Sequence, residues 1–162
     1  MIHSGVCDAQ AAEPQSNLGA LLARERKWEE AVAEYRLALD HDPLLSEARC
    51  GLSGALAKQG NYEEAIRGLA ELVKLRPAYA PARLQLGIIL ALEGKVDEAI
   101  DAYSELLRAN PADAAAHYHL ALALSGQGKS KEALLHYRDA VKARPDFPEA
   151  LSNLAWMLAT QP

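Results

Sequence analysis

Cysteine is scarce in this sequence, and long apolar runs and an excess of basic charge are missing. Its two cysteines, Cys7 and Cys50, are too few for a disulfide framework and lack the paired spacing of a zinc site. The longest apolar runs, such as LGIILAL at residues 86–92, fall far short of the roughly 20 residues of a membrane-spanning helix. The first ten residues, MIHSGVCDAQ, have neither the basic segment nor the apolar core of a signal peptide. We therefore expect a cytoplasmic protein with reduced cysteines and no membrane insertion.

The charge of the chain is modest. Its 17 basic and 22 acidic residues give a net charge of -5, spread evenly along the sequence, which favours neither nucleic acid nor an anionic membrane as a partner. Half of the 162 residues are hydrophobic, enough to bury the core of one ordinary domain. We expect a single domain and no nucleic-acid partner.

Four prolines give the chain a regular period. Pro43, Pro77, Pro111 and Pro145 lie 34 positions apart, and so regular a spacing indicates internal repeats. We number the positions of each repeating unit from slot one, its first residue. Aligned on these prolines, the chain divides into an N-terminal tail, 1–11, four full units, 12–45, 46–79, 80–113 and 114–147, and a partial fifth unit, 148–162.

Residues that recur at fixed slots predict two helices in each full unit. Leucine fills slots seven and eleven of every unit, with a small residue at slot eight that allows a neighbouring helix to approach closely. Alanine at slot twenty, tyrosine or leucine at slot twenty-four and alanine or leucine at slot twenty-seven form the buried stripe of a second helix. Gly60, Gly94 and Gly128 mark the turn between the helices, where the first unit has Arg26 instead. Each unit is therefore expected to be a helical hairpin.

This 34-residue pattern of leucine, small residue, leucine, alanine, tyrosine, alanine and proline resembles the tetratricopeptide repeat. The resemblance implies an all-α fold, a right-handed superhelical solenoid of antiparallel helical hairpins, with four full repeats plus one extra helix. It also implies that the first helices line a concave groove, which takes an extended peptide or a partner helix. Slot four departs from the family, which often has tryptophan there; this chain has Gln15, Arg49, Arg83, His117 and Leu151.

The stretch HYHLALALSGQGKS, residues 117–130, contains two patterns that suggest chemistry. Residues two apart on a helix point to different faces, so His117 and His119 cannot hold one ion together. Gly128 and Lys129 lack the earlier glycine of a phosphate-binding loop and fall in the turn between two helices. The other histidines have no geometric relation that the sequence fixes: His3, His41 and His136. We therefore predict no catalytic residue, no metal ligand and no cofactor, and we expect that the chain is not an enzyme.

Side chains at slot six can form hydrogen bonds in four of the five units. They are Asn17, Gln85, His119 and Asn153, with Gly51 as a gap. The region 134–158, LLHYRDAVKARPDFPEALSNLAWML, is similar to the repeats of O-linked N-acetylglucosamine transferases, which carry asparagine at the equivalent slot. That resemblance implies a ladder of side chains that binds the backbone of an extended peptide, with His119 as the rung that could titrate near neutral pH. The alternative is that slot six is solvated helix surface.

Apolar side chains at slots five and nine predict an apolar middle to the groove. They are Leu84 and Tyr118 at slot five, and Ile88, Leu122 and Trp156 at slot nine, with Leu92 nearby. Such residues contact a hydrophobic peptide or are covered by a flanking segment.

The sequence predicts a non-catalytic scaffold that binds a protein or peptide partner. Two alternatives stay open: the substrate-docking segment of a larger enzyme, such as a glycosyltransferase, and a self-assembly module. The last helix carries apolar residues that a terminal repeat would normally replace by polar ones. We therefore expect that the chain is a segment of a longer protein or a homo-oligomer formed through this C-terminal helix. These residues are Leu151, Leu154, Trp156, Met157 and Leu158.

Overall fold

The described residues of the chain form helices only. The computed structural model describes residues 4–160, with side chains from residue 12 onward, so that His3 and the Cys7 side chain lie outside this part. Within it the helices are α1 Ser4–Arg24, α2 Trp28–His41, α3 Ser46–Lys58, α4 Tyr62–Leu75, α5 Ala80–Leu92, α6 Val96–Ala109, α7 Ala114–Gly126, α8 Ser130–Ala143 and α9 Pro148–Thr160. None of them is both long and apolar enough to cross a membrane.

Helix starts follow the 34-residue period from the second unit onward. The first helices of these units begin at Ser46, Ala80, Ala114 and Pro148. Helix α1 begins at Ser4 and so extends through residues assigned above to the N-terminal tail, 1–11. The division of the chain into four full repeats and a partial fifth stays a prediction.

The turns between paired helices depend on a left-handed residue. Gly60, Gly94 and Gly128 have φ angles of +82°, +89° and +76°, and Arg26 adopts φ 63° at the same position of the first hairpin. After Gly60, for example, the N–H of Asn61 donates to the carbonyl of Leu56 at 2.9 Å, which satisfies a carbonyl that the helix end would leave open. The predicted glycine turns are therefore present, and the first turn keeps the geometry without the glycine.

The buried stripe predicted for the second helices is present in all four hairpins. The alanines at slot twenty are completely buried, and the side chains at slots twenty-four and twenty-seven are buried with them. On the first helices, Leu56, Leu90 and Leu124 at slot eleven are buried, whereas Leu158 is 50% exposed. The small residues of slot eight are buried on α1, α3, α5 and α7.

Contacts divide the chain into two compact parts, one up to Gln85 and one from Leu86. In the first part α1 packs on α2, α2 on α3 and α3 on α4; in the second part α6 packs on α7, α7 on α8 and α8 on α9. Within each part, each of these helices thus packs on the helix that follows it in sequence. The expectation of a single domain stays a prediction.

Candidate peptide groove

Tyr35, the tyrosine at slot twenty-four of the first unit, fits between two first helices that each have a glycine facing it. A methyl group added at Gly19 of α1 would lie 2.9 Å from Cδ1 of Tyr35, and one added at Gly51 of α3 would lie 2.6 Å from its Oη. Both distances are too short for real contacts, so the ring of Tyr35 fills the space that the two glycines leave. The gap at slot six of the second unit is therefore occupied by an aromatic ring.

The remaining slot-six side chains make different contacts. Gln85 is half-buried, and its Nε2 donates to the backbone carbonyl of Cys50 on α3 at 2.9 Å. Asn153 is half-buried and donates from Nδ2 to Oη of Tyr137 at 3.4 Å. The ring of His119 stacks on Tyr103 with centroids 5.8 Å apart and an interplanar angle of 23°. Asn17, by contrast, is exposed on α1. Slot six thus faces the preceding hairpin at several levels, and it is not a purely solvated surface there.

A largely apolar groove lies between α5, α6 and α7, in the second part of the chain. Its volume is about 450 Å³. Helix α5 contributes Ile88, Ala91 and Leu92, and helix α6 contributes Val96 and Tyr103. Helix α7 contributes His119, Leu122, Ala123 and Gly126, and Gln127 follows it. Leu92 is 59% exposed and Leu122 is 39% exposed, so apolar side chains face solvent in this groove.

The structure brings together some of the residues that the sequence suggested for the groove and separates others. Ile88, His119 and Leu122 line it. Leu84 is half-buried outside its lining, and Trp156, 65% exposed, lies on α9. Tyr118 packs instead on the buried Phe147, with ring centroids 4.9 Å apart, and belongs to a small core beside α8 and α9.

Tyr103 and Gln127 are among the groove residues that the sequence pattern did not predict. Tyr103 had been assigned to the buried stripe of a second helix, and its slot shows no sign that one edge of the ring lines a groove. Gln127 directly follows the last residue of α7. Its Nε2 donates to Oδ1 of Asp97 at 2.7 Å, and its buried Oε1 accepts no hydrogen bond from the described residues.

Burial shifts the ionisation of the groove and of the nearby thiol. It lowers the pKa of His119, which favours the neutral imidazole, and it raises the pKa of Tyr103. Burial, with a smaller contribution from the Glu47 carboxylate, raises the pKa of the Cys50 thiol to about 11. Cys50 is therefore protonated at neutral pH, and a reactive thiolate is not available there.

The irregular residues of slot four have a common structural role. In the second, third and fourth units a side-chain nitrogen at this slot donates to the carbonyl of the repeat proline six residues earlier. The bonds are Arg49 Nη2 to Pro43 at 2.9 Å, Arg83 Nη2 to Pro77 at 3.4 Å and His117 Nε2 to Pro111 at 3.0 Å. His117 is thus buried toward the turn, while His119 lines the groove, as expected for residues two apart on a helix.

These repeats identify the family of the chain. The sequence profile of the tetratricopeptide repeat matches four overlapping segments, residues 16–80, 52–114, 84–146 and 118–162. The chain belongs to the tetratricopeptide repeat family. The match, together with helices and no strand among residues 4–160, confirms the predicted all-α superhelical repeat class. No curated protein sequence matches the chain.

Several solved tetratricopeptide repeat structures are similar to this one. MamA from Desulfovibrio magneticus RS-1 is 26% identical with a TM-score of 0.75, over 92% of this chain and 84% of that protein. YrrB, described as a TPR protein with an unusual peptide-binding site, is 24% identical with a TM-score of 0.60, over 88% and 91%. PilF from Pseudomonas aeruginosa is 18% identical with a TM-score of 0.85, over 94% and 69%. These similarities do not link the chain to O-linked N-acetylglucosamine transferases, and that closer resemblance stays a prediction.

Proposed function

We propose that this tetratricopeptide repeat chain is a non-catalytic scaffold that binds a segment of a partner protein in the groove between α5, α6 and α7. The observation that carries the proposal is the groove itself, which holds about 450 Å³ and is lined mainly by apolar side chains. That volume lies within the roughly 300–1,000 Å³ of ordinary ligand pockets. Burial of one large apolar side chain in such a groove stabilises a complex by about 1.5–3 kcal/mol.

Polar atoms in the groove favour a peptide over a purely apolar ligand. The Oε1 of Gln127 has no hydrogen-bond donor among the described residues, so a peptide N–H that reached it would satisfy a buried acceptor. Neutral His119, on the same lining, can both donate and accept a hydrogen bond. A partner peptide fits this arrangement when one of its apolar side chains enters the groove and its neighbouring main-chain groups bond to these polar atoms.

The predicted ladder of slot-six side chains is part of this proposal, with its role restricted mainly to accepting hydrogen bonds. One N–H donor of Gln85 and one of Asn153 are used within the fold, on the Cys50 carbonyl and the Tyr137 hydroxyl. Their amide oxygens can accept hydrogen bonds from peptide N–H groups. The side chain of Asn17, which is exposed, can both donate and accept hydrogen bonds. We propose that the ladder accepts hydrogen bonds from a bound backbone more than it donates them.

The groove is tested with a phage-displayed library of random peptides, because no partner is identified. Peptides selected on the native chain are measured by fluorescence anisotropy against the Leu92→Asp, Leu122→Asp double variant, in which two exposed groove residues become charged. We expect at least a tenfold loss of affinity, since a carboxylate must then be desolvated beside the apolar peptide. The matched control is Leu135→Asp, which changes a leucine that is 58% exposed on α8.

The control variant should bind the selected peptides like the native chain. Equal affinity of the groove variant and the native chain, with helical circular dichroism intact, would show that the peptides bind elsewhere. A library that yields no binder at micromolar concentration contradicts the proposed peptide site.

A second candidate, self-association, is favoured by the exposed apolar side chains of α9. Leu151, Trp156 and Leu158 are 42%, 65% and 50% exposed. We propose that this surface joins two copies of the chain. Light scattering after size exclusion should give a dimer mass for the native chain and a monomer mass for Trp156→Glu, because a charge at the centre of the patch opposes its burial. A monomeric native chain at high concentration contradicts this candidate.

A further inference from the structure

Three side chains that can bind metal ions meet on the hairpin formed by α7 and α8. His117 of α7 is only 8% exposed, and its Nδ1 lies 3.0 Å from Nδ1 of His136 on α8. Asp139 follows His136 by three residues, almost one helical turn, and therefore lies on the same face of α8. One ligand atom from each of the three residues lies within 4.8 Å of the other two.

A backbone carbonyl determines which ring nitrogen of His117 carries the proton and which one has an available lone pair. Its Nε2 lies 3.0 Å from the carbonyl oxygen of Pro111, and a carbonyl oxygen only accepts, so Nε2 carries the proton. Arg49 makes the same contact with Pro43 in the second repeat, where the donor is unambiguous. In the neutral ring Nδ1 then has its lone pair available, directed at His136. Histidines that bind metals are commonly fixed in this way, by a hydrogen bond from the other ring nitrogen to a backbone carbonyl.

Comparison with the second repeat shows what is distinct about the fourth. There Arg49 at slot four forms an ion pair with Glu71 at slot twenty-six, at 3.1 Å, and slot twenty-three is Gly68. In the fourth repeat the same three slots hold His117, Asp139 and His136. An arginine cannot bind a cation, whereas an imidazole in its place can. The fourth repeat thus has three possible metal ligands at the slots where the second repeat has a salt bridge and a glycine.

We propose that His117, His136 and Asp139 bind a divalent transition-metal ion, and that Zn²⁺ suits the donor set best. Two imidazole nitrogens and a carboxylate oxygen are typical zinc ligands, with bond lengths of about 2.0–2.2 Å. Ligand atoms of such a tetrahedral ion lie about 3.3 Å apart, close to the 3.0 Å between the two Nδ1 atoms. Asp139 is exposed, so a change of rotamer can bring its carboxylate nearer. Water would complete the coordination from the solvent side.

The competing arrangement is a hydrogen bond from Nδ1–H of His136 to Nδ1 of His117, with no ion. Isothermal titration of the untagged full chain with ZnCl₂ distinguishes the two. We expect one ion per chain with a micromolar or lower Kd. His136→Gln should weaken binding at least tenfold because it removes one of three protein ligands, and Asp139→Asn should weaken it less. His41→Gln, which changes a half-exposed histidine at the end of α2, is the matched control and should leave the Kd unchanged.

A second measurement on the unaltered chain does not depend on the folding of a variant. Nitrogen NMR of the imidazole rings should show that added Zn²⁺ moves the Nδ1 signals of His117 and His136, while Nε2 of His117 stays protonated. Absence of binding at 100 µM Zn²⁺ overturns the proposal. So does binding that His136→Gln leaves intact, since the ion would then lie on other groups, such as the cysteines.

Discussion

Replacement of Gly51 by alanine tests whether the space beside Tyr35 is filled. The added methyl group would lie 2.6 Å from Oη of Tyr35 and also too close to the ring carbons. The ring is 4% exposed and has little room to move toward α1, because a Cβ added at Gly19 would lie only 2.9 Å from its Cδ1. Overpacking of this kind costs about 1–3 kcal/mol. Alanine recovers about 1 kcal/mol of helix propensity.

The net expectation is a destabilisation of up to about 2 kcal/mol, measured as a lower urea midpoint by circular dichroism. Gly126→Ala is the matched control, because a methyl group there meets nothing within 4 Å. It should be neutral or stabilising by up to about 1 kcal/mol. A second mutation, Tyr35→Leu, copies the residue found at the same slot in the second repeat, Leu69, and should remove the conflict.

In a double-mutant cycle, the Gly51→Ala, Tyr35→Leu double variant should therefore lose less unfolding free energy than the sum of the two single variants. We expect a difference of about 1 kcal/mol or more. If Gly51→Ala behaves like Gly126→Ala, or if the cycle shows no coupling, the ring moves aside freely and the proposed packing of tyrosine between two first helices is refuted.

Two further changes test local backbone features. Arg26→Gly should stabilise the first hairpin by about 0.5–1 kcal/mol. Arg26 has φ 63°, and this left-handed conformation costs a non-glycine residue about 1–2 kcal/mol, a cost that the greater entropy of glycine in the unfolded chain partly offsets. A lower urea midpoint for the variant would contradict this expectation. Asp113→Ala should destabilise the chain by about 1 kcal/mol, because the Asp113 side chain accepts from the Ala116 N–H at 2.9 Å at the start of α7. Asp113→Asn keeps an acceptor and should stay near the native stability, and equal losses for both variants would exclude capping as the cause.

Local structure could be predicted from the sequence where it depends on a single residue or on a single helix. Gly60, Gly94 and Gly128 were assigned to turns because a left-handed residue ends a helix, and all three have positive φ. The separation of His117 from His119 also followed from helix geometry alone. The buried stripe of each second helix followed from its period.

Contacts between helices could not be predicted in the same way. The approach of His117 to His136, 19 residues later, depends on how α7 and α8 pack, and no periodicity specifies that distance. Similarly, the slot-six period singles out Gln85 but gives no indication that its amide reaches the carbonyl of Cys50. Tyr103 was assigned to the core, whereas its position at the edge of the groove depends on the space between α5 and α7.

The junctions between hairpins make the order of the repeats specific. Gly51 follows the hairpin that carries Tyr35, and Asn153 follows the one that carries Tyr137, in each case against that ring. Where the preceding residue is Leu69, the next first helix carries Gln85 instead, with an amide that bonds to a backbone carbonyl. A hairpin moved to another place in the array would bring the wrong side chain to its neighbour. Although the units share one fold, they are not interchangeable, and an engineered array must transfer the two halves of each junction together.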